Sequence, residues 1–169
     1  MAHAQNAIEG RLAGLGRAHD LLLQVHWANA NLATTLRAAT EPFDNQGAGR
    51  ISIEGQDLSI SSAAVISLAM TLNELCTNTT KFGALSVPAG RVAISWTVDE
   101  DAGSLKLKWM ETGGPTVNAP TRRSFGTRMM ESLGNQLSGR VELSYHLSGF
   151  VYELVAPLSA FKAKGGPTS

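Results

Sequence analysis

One cysteine, no excess of either charge and no long apolar run are the shortages that stand out, and each removes a class of protein. Cys76 alone can form neither an internal disulfide nor a cysteine-based zinc site, which suits a reducing compartment. Lys+Arg and Asp+Glu number 14 each in 169 residues, a formal net charge of zero. A chain devoted to nucleic acid or to an anionic membrane surface would be basic. No apolar stretch approaches the roughly 20 residues of a membrane span. The opening MAHAQNAIEGR has no apolar signal-peptide core. Aromatic residues are only 6%, and Arg122, Arg123 and Arg128 have no aromatic platform beside them, which makes a poor nucleic-acid patch. His3, His19, His26 and His146 lack zinc-ligand spacing, and neither a G-x-S-x-G elbow nor a G-x-x-x-x-G-K-S/T loop occurs. The expectation is a soluble, cytoplasmic chain that touches neither nucleic acid nor membrane.

Hydrophobic residues at 43% and charged residues at 17% support one domain with a sizeable core. Residues 6–24 carry Ile8, Leu12, Leu15, Leu22 and Leu23 at helical spacing, crossed by Gly10, Gly14 and Gly16, and predict an amphipathic helix that needs a partner surface. A second helix is expected over 29–40, ending before Pro42. ISIEG (51–55) and DLSIS (57–61) both alternate and suggest a short hairpin, or a strand and turn. Behind Ser61 and Ser62, which can cap, the run from Ala63 to about Phe82 contains no Gly or Pro and predicts a long helix that Gly83 ends. Residues 91–100 and 104–111 alternate around a glycine-containing turn and predict an antiparallel hairpin. After the aperiodic, Pro- and Gly-rich segment 112–124, a helix is expected over 125–137, then a closing hairpin of 140–147 with 150–158 and a frayed tail. The fold class is α+β: a two-layer sandwich with a mixed, mostly antiparallel sheet covered on one face by helices.

Three places could carry chemistry. On the long helix, Glu74, Asn78 and Lys81 stand at i, i+4 and i+7 and share a face. A carboxylate, a carboxamide oxygen and an ammonium in one stripe suit Mg²⁺ with phosphates, the carboxylate able to orient or deprotonate a hydroxyl. Taken alone, such a stripe is more often a solvated polar face. In W-M-E-T-G-G-P (109–115), Glu111 ends a strand and can accept from an amino group such as that of adenine, while Gly113 and Gly114 permit a tight turn. Taken alone, this is an ordinary turn beside an exposed Glu. In T-R-R-S-F-G-T-R (121–128), Gly126 and Thr127 at a helix start offer free N–H groups to an anion, with the arginines adding charge, although a basic loop with a serine cap reads the same way. Trp96 and Trp109 read as core fillers.

Taken in order, N-E-L-x-T-N-x-x-K-F-G-A-L-S (73–86), W-x-E-x-G-G-P (109–115) and S-F-G-T (124–127) resemble the N box and the two glycine-rich boxes of the HWE-type sensor histidine kinases. The similarity extends upstream through I-E-G-R-L and R-A-H-D-L-L and covers about residues 7–158. The resemblance implies the Bergerat fold shared with gyrase B subunits and mismatch-repair ATPases, with ATP and Mg²⁺ bound between the long helix and the glycine-rich loops. It implies that Asn78 ligates Mg²⁺, with Glu74 one turn earlier as a possible second ligand implicated in activating phosphotransfer, and that Lys81 reaches phosphate. Phe82 would lie near adenine or ribose, Glu111 would read the adenine amino group, and Gly113 and Gly114 would shape its loop. Ser124, Phe125, Gly126, Thr127 and Arg128 would complete the ATP-binding set. Residues 1–27 would be a remnant of the second helix of the phosphoacceptor hairpin, 28–160 the catalytic domain and 161–169 a flexible tail.

Two departures accompany the resemblance. The family carries a His just before the N-box Glu, and Asn73 stands there instead; no H-R-x-K-N-like acceptor segment occurs, and His19 matches a different family position. The expected activity is therefore transfer of the ATP γ-phosphoryl to a histidine supplied by the parent kinase's helical hairpin, for relay to a response-regulator aspartate, with dimerisation left open. The alternatives are a degenerate nucleotide-binding scaffold that docks a response regulator, and a serine kinase of the anti-sigma-factor type.

Overall fold

The computed structural model of the chain describes residues 30–44, 48–117 and 125–162. The expected N-terminal helix over 6–24, with His19, lies outside them, as do Ser124 and most of the tail.

Helix α1 (Leu32–Thr40) opens where the Asn31 carboxamide oxygen accepts from the Thr34 N–H, and Pro42 turns its end into a short 3-10 stretch, Glu41–Phe43. Helix α2 (Ser62–Lys81) opens under the Ser61 hydroxyl, which accepts from the Ala64 N–H at 3.1 Å. With no Gly or Pro inside it, the helix runs 20 residues and buries Ala64, Val65, Leu68, Leu72, Leu75 and Cys76. It ends where the N–H groups of Phe82 and Gly83 both reach the Asn78 carbonyl. A 3-10 turn follows at Ala84–Ser86.

Five strands form one sheet in the order β1-β2-β3-β5-β4: β1 (Ile51–Glu54), β2 (Arg91–Asp99), β3 (Ser104–Thr112), β4 (Arg140–His146) and β5 (Gly149–Pro157). β1 joins β2 in parallel, and every other pair is antiparallel. Strand alternation sends Val92, Ile94, Trp96, Leu105, Leu107, Trp109, Tyr152 and Leu154 to one face, where α2 and helix α3 (Phe125–Gln136) cover them. Glu111 points to that same inner face, two residues beyond Trp109. A last short helix, α4 (Leu158–Phe161), buries Phe161 in the core. No helix among the described residues is long and apolar enough to cross a membrane.

The α+β sandwich and both long hairpins are as expected. Of the two arrangements open for 51–61, the structure has the strand, β1, and not the short hairpin. β1 pairs with β2 instead, and 57–61 reaches back to the start of α1, with Leu32 N–H on the Leu58 carbonyl and Ile60 N–H on the Ala30 carbonyl. Between them the Gln56 carbonyl accepts from the Trp96 indole at 2.9 Å, which draws the chain off the sheet edge.

Candidate functional site

The inner face of the sheet ends, beyond Trp109, in a carboxylate. Glu111 is 5% exposed, and a buried carboxylate is costly unless hydrogen-bonded. It is bonded on both oxygens. Oε1 accepts from the Thr79 hydroxyl at 2.8 Å and from the Ala84 N–H at 2.9 Å, and Oε2 accepts from the Trp109 indole at 2.9 Å. Thr79 lies on the last turn of α2, Ala84 on the turn after it and Trp109 on the same strand, so three segments converge on one side chain. Gly83 makes room: a Cβ there would stand 2.2 Å from Glu111 Oε1. After the strand, Gly113 takes φ +72°, a conformation L side chains rarely adopt, and carries the chain against the Ala89 carbonyl.

A buried arginine staples the 83–90 turn. Arg50, 7% exposed, donates through Nε to the Gly90 carbonyl at 3.1 Å and through Nη2 to the carbonyls of Ala84 and Val87. The residue that offers its N–H to Glu111 is thus held from behind.

Glu111 lines a cavity of about 320 Å³, together with Asn78, Phe82, Gly83, Thr116, Val117, Thr127, Met130, Tyr145 and Phe150. That volume lies at the lower end of small-molecule sites. Tyr145 and Phe150, cross-strand partners on β4 and β5, face each other with ring centroids 5.2 Å apart. Met130 is fixed through its carbonyl, which accepts from the buried Tyr152 hydroxyl at 3.0 Å. Burial pushes the Tyr152 phenol well above its ordinary value. Another concavity, about 360 Å³ on the uncovered face of the sheet beside Lys108 and Glu153, contains Glu111 but none of the other expected residues.

The structure brings Asn78, Phe82, Glu111 and Thr127 to one cavity wall. It grades the helix stripe by depth: Glu74 is buried, Asn78 half-buried and Lys81 exposed, and only Asn78 reaches the cavity. Among the described residues nothing hydrogen-bonds the Asn78 carboxamide, which is free to meet a ligand. Phe82 stands 77% exposed at the rim. Gly113, Gly114 and Arg128 are described but line no part of this cavity, and Phe125 and Gly126 open α3. Glu111 is not the exposed side chain of an ordinary turn, the reading its motif has when taken alone: the helix end and the turn after it cover the strand end. Trp109 is the expected core filler and also a donor to Glu111. Thr79, Arg50, Tyr145 and Phe150 were not anticipated; the W-x-E spacing, which puts both side chains on one strand face, is a signal from which the Trp109–Glu111 contact could have been read.

Residues 1–57 match the profile of the HWE histidine kinase family, a stretch upstream of the cavity residues. The chain is 37% identical over 160 residues to the blue-light-activated histidine kinase of Brucella anthropi, covering 93% of this chain and 33% of that protein. It is 35% identical over 159 residues to that of Brucella ovis, covering 92% and 32%. It spans about a third of the length of these curated relatives. Its fold is similar to that of a blue-light activated histidine kinase of Erythrobacter litoralis, with a TM-score of 0.68 at 15% identity over 91% of this chain and 55% of that one. It is also similar to that of an Acinetobacter baumannii histidine kinase, with a TM-score of 0.60 at 13% identity over 93% and 80%.

Proposed function

The chain belongs to the HWE histidine kinases, and from that membership we propose that it is the domain that binds ATP with Mg²⁺ and donates the γ-phosphoryl to a histidine of the parent kinase's helical hairpin, for relay to a response-regulator aspartate. The observation that carries this reading is the cavity, whose wall brings together the Glu111 carboxylate, the Asn78 carboxamide and Thr127 of the first turn of α3. Glu111 accepts from the adenine 6-amino group. Phe82, exposed at the rim, covers the base or ribose. Thr127, three residues into α3, stands where a helix N-terminus stabilises phosphate.

The residues fit Mg²⁺. Among the described residues no cluster of three His, Cys, Asp or Glu could hold a metal outright. Mg²⁺ at nucleotides commonly takes only one or two protein oxygens and draws the rest from phosphates and water, so a single unpartnered carboxamide suffices. Asn78 would hold the ion, with Glu74 one turn deeper behind it. The ion neutralises charge on the transferred phosphoryl group. The protein's own part is positioning. Glu111 and the cavity wall fix the base, Lys81 and Arg128, solvent-exposed and outside the cavity lining, draw the phosphates by charge, and the γ-phosphorus is held for in-line approach of an imidazole nitrogen.

A titration with a fluorescent ATP analogue, with and without Mg²⁺, tests this. Binding is expected to strengthen with Mg²⁺. Asn78→Ala should lower affinity about 10- to 100-fold, remove the Mg²⁺ dependence and change stability by no more than about 0.5 kcal/mol, since the side chain is half-buried and unpartnered. Equal binding by the variant would reject Asn78 as the metal position. No binding of ATP by the unaltered chain would favour the degenerate scaffold.

A further inference from the structure

We propose that Thr79 is a positioning residue that sets base selectivity by leaving the Glu111 carboxylate a single free acceptor; the inference rests on the nucleotide-site reading. An ionised carboxylate offers about four acceptor positions, two on each oxygen. Among the described residues, Oε1 has both of its positions filled, by the Thr79 hydroxyl and the Ala84 N–H, and Oε2 has one filled, by the Trp109 indole. One position on Oε2 remains, and Glu111 lines the cavity. A base that presents one N–H donor there completes the set. A base that presents a carbonyl meets a negative oxygen with no donor between them.

The Thr79 hydroxyl has no freedom to serve otherwise. A carboxylate can only accept, so the hydroxyl proton points at Glu111, and its lone pair takes the Leu85 N–H at 3.2 Å. Thr79 is 1% exposed, so water does not compete for either bond. The hydroxyl therefore ties the end of α2, the turn after it and the base-reading carboxylate together. Without it, Oε1 gains a vacant position and the carboxylate can turn about the Trp109 and Ala84 bonds. Water entering that vacancy can donate both to the carboxylate and to a base carbonyl, which relaxes the demand for an amino group. The alanine or valine that would fill a buried helix position equally well would not hold this geometry.

The test measures Kd for Mg·ATP and Mg·GTP on the unaltered 169-residue chain and on Thr79→Val, Thr79→Ala and Thr79→Ser. The ratio of the two constants within each variant is the readout, because partial unfolding weakens both nucleotides alike. The unaltered chain is expected to prefer ATP by about 100-fold or more. Thr79→Val, and Thr79→Ala where the valine methyl disturbs folding, should cut that preference about tenfold, mainly through lost ATP affinity, and Thr79→Ser should restore it to within about threefold. A preference unchanged in the valine and alanine variants, or a parallel loss of both nucleotides, overturns the role of Thr79 while leaving the nucleotide site standing. Failure of the unaltered chain to bind ATP, or equal affinity for the two nucleotides, overturns the site reading and this inference with it.

Discussion

Two groups of residues at the candidate site are built on opposite plans. Around Glu111 the polar groups are buried and tied to one another: the carboxylate meets three donors, the hydroxyl that donates to it also accepts, and a buried arginine braces the turn behind. Around Asn78 the plan is the reverse: its half-buried carboxamide has no hydrogen-bond partner among the described residues, and Lys81 and Arg128, outside the cavity lining, stand exposed. The Glu111 cluster is part of the folded core and is ready before any ligand arrives, so it contributes shape and discrimination at little ordering cost. The second group is left to be completed by the ligand and its metal ion. A domain that must select one nucleotide and then let its phosphates react gains from this division, since only the reacting part needs to change.

The largest effect that would break the contrast is at Glu111. Glu111→Ala leaves the Thr79 hydroxyl, the Ala84 N–H and the Trp109 indole without their acceptor, at about 1–3 kcal/mol for each buried unpaired group. Partial relaxation brings the expected loss to about 3–5 kcal/mol. Urea denaturation should show it as a lower midpoint at an unchanged slope, alongside loss of ATP binding. A midpoint shift worth less than about 1 kcal/mol would mean that the paired group is no more fixed than the open one.

A middle-sized effect sharpens it. Tyr152 holds Met130, a cavity residue, by one buried hydrogen bond, so Tyr152→Phe should cost about 1 kcal/mol. Its pH dependence has a definite sign. Burial raises the folded phenol above the ordinary value of 10.0. The folded state therefore keeps a proton that the unfolded state loses, and the neutral phenol's contribution is fully present below pH 10 and lost as pH rises beyond it. Above that pH the unaltered chain should lose stability more steeply than Tyr152→Phe, by up to about 1.4 kcal/mol per pH unit. Parallel pH curves for the two proteins would show that the Tyr152 phenol is not held neutral by burial.

What the sequence discloses follows the same division. The long helix and the two hairpins were legible because their periods, capping serine and glycine turns are local signals. The pairing of 57–61 is not legible, because its partner, the start of α1, lies nearly 30 residues upstream and leaves no local mark. In the site, motif order pointed to Asn78, Glu111 and Thr127, and the three do share a cavity. Helical spacing correctly put Glu74, Asn78 and Lys81 on one stripe, yet spacing carries no depth, and the stripe runs from core to solvent. The paired group was the less legible one. Thr79 meets Glu111 across 32 residues and Arg50 meets Gly90 across 40, and nothing in a lone threonine or arginine announces such a contact.

The smallest expected effects belong to the exposed cations. Lys81 and Arg128 are exposed, and a solvated cation contributes about 0–1 kcal/mol to an ionic contact. Lys81→Ala and Arg128→Ala should each weaken Mg·ATP binding about two- to fivefold at low ionic strength and leave the thermal midpoint unchanged. Because their charges act through water, the deficit should shrink toward nothing as salt approaches about 1 M, where the screening length falls to about 3 Å. The salt series decides between two pictures of this group. A deficit that fades with salt describes charges that draw the nucleotide in and remain solvated. A Lys81→Ala deficit well above tenfold that persists at high salt would mean that the ammonium leaves solvent to bond a phosphate directly, and the open group would then become as tightly ordered around its ligand as the Glu111 cluster is without one.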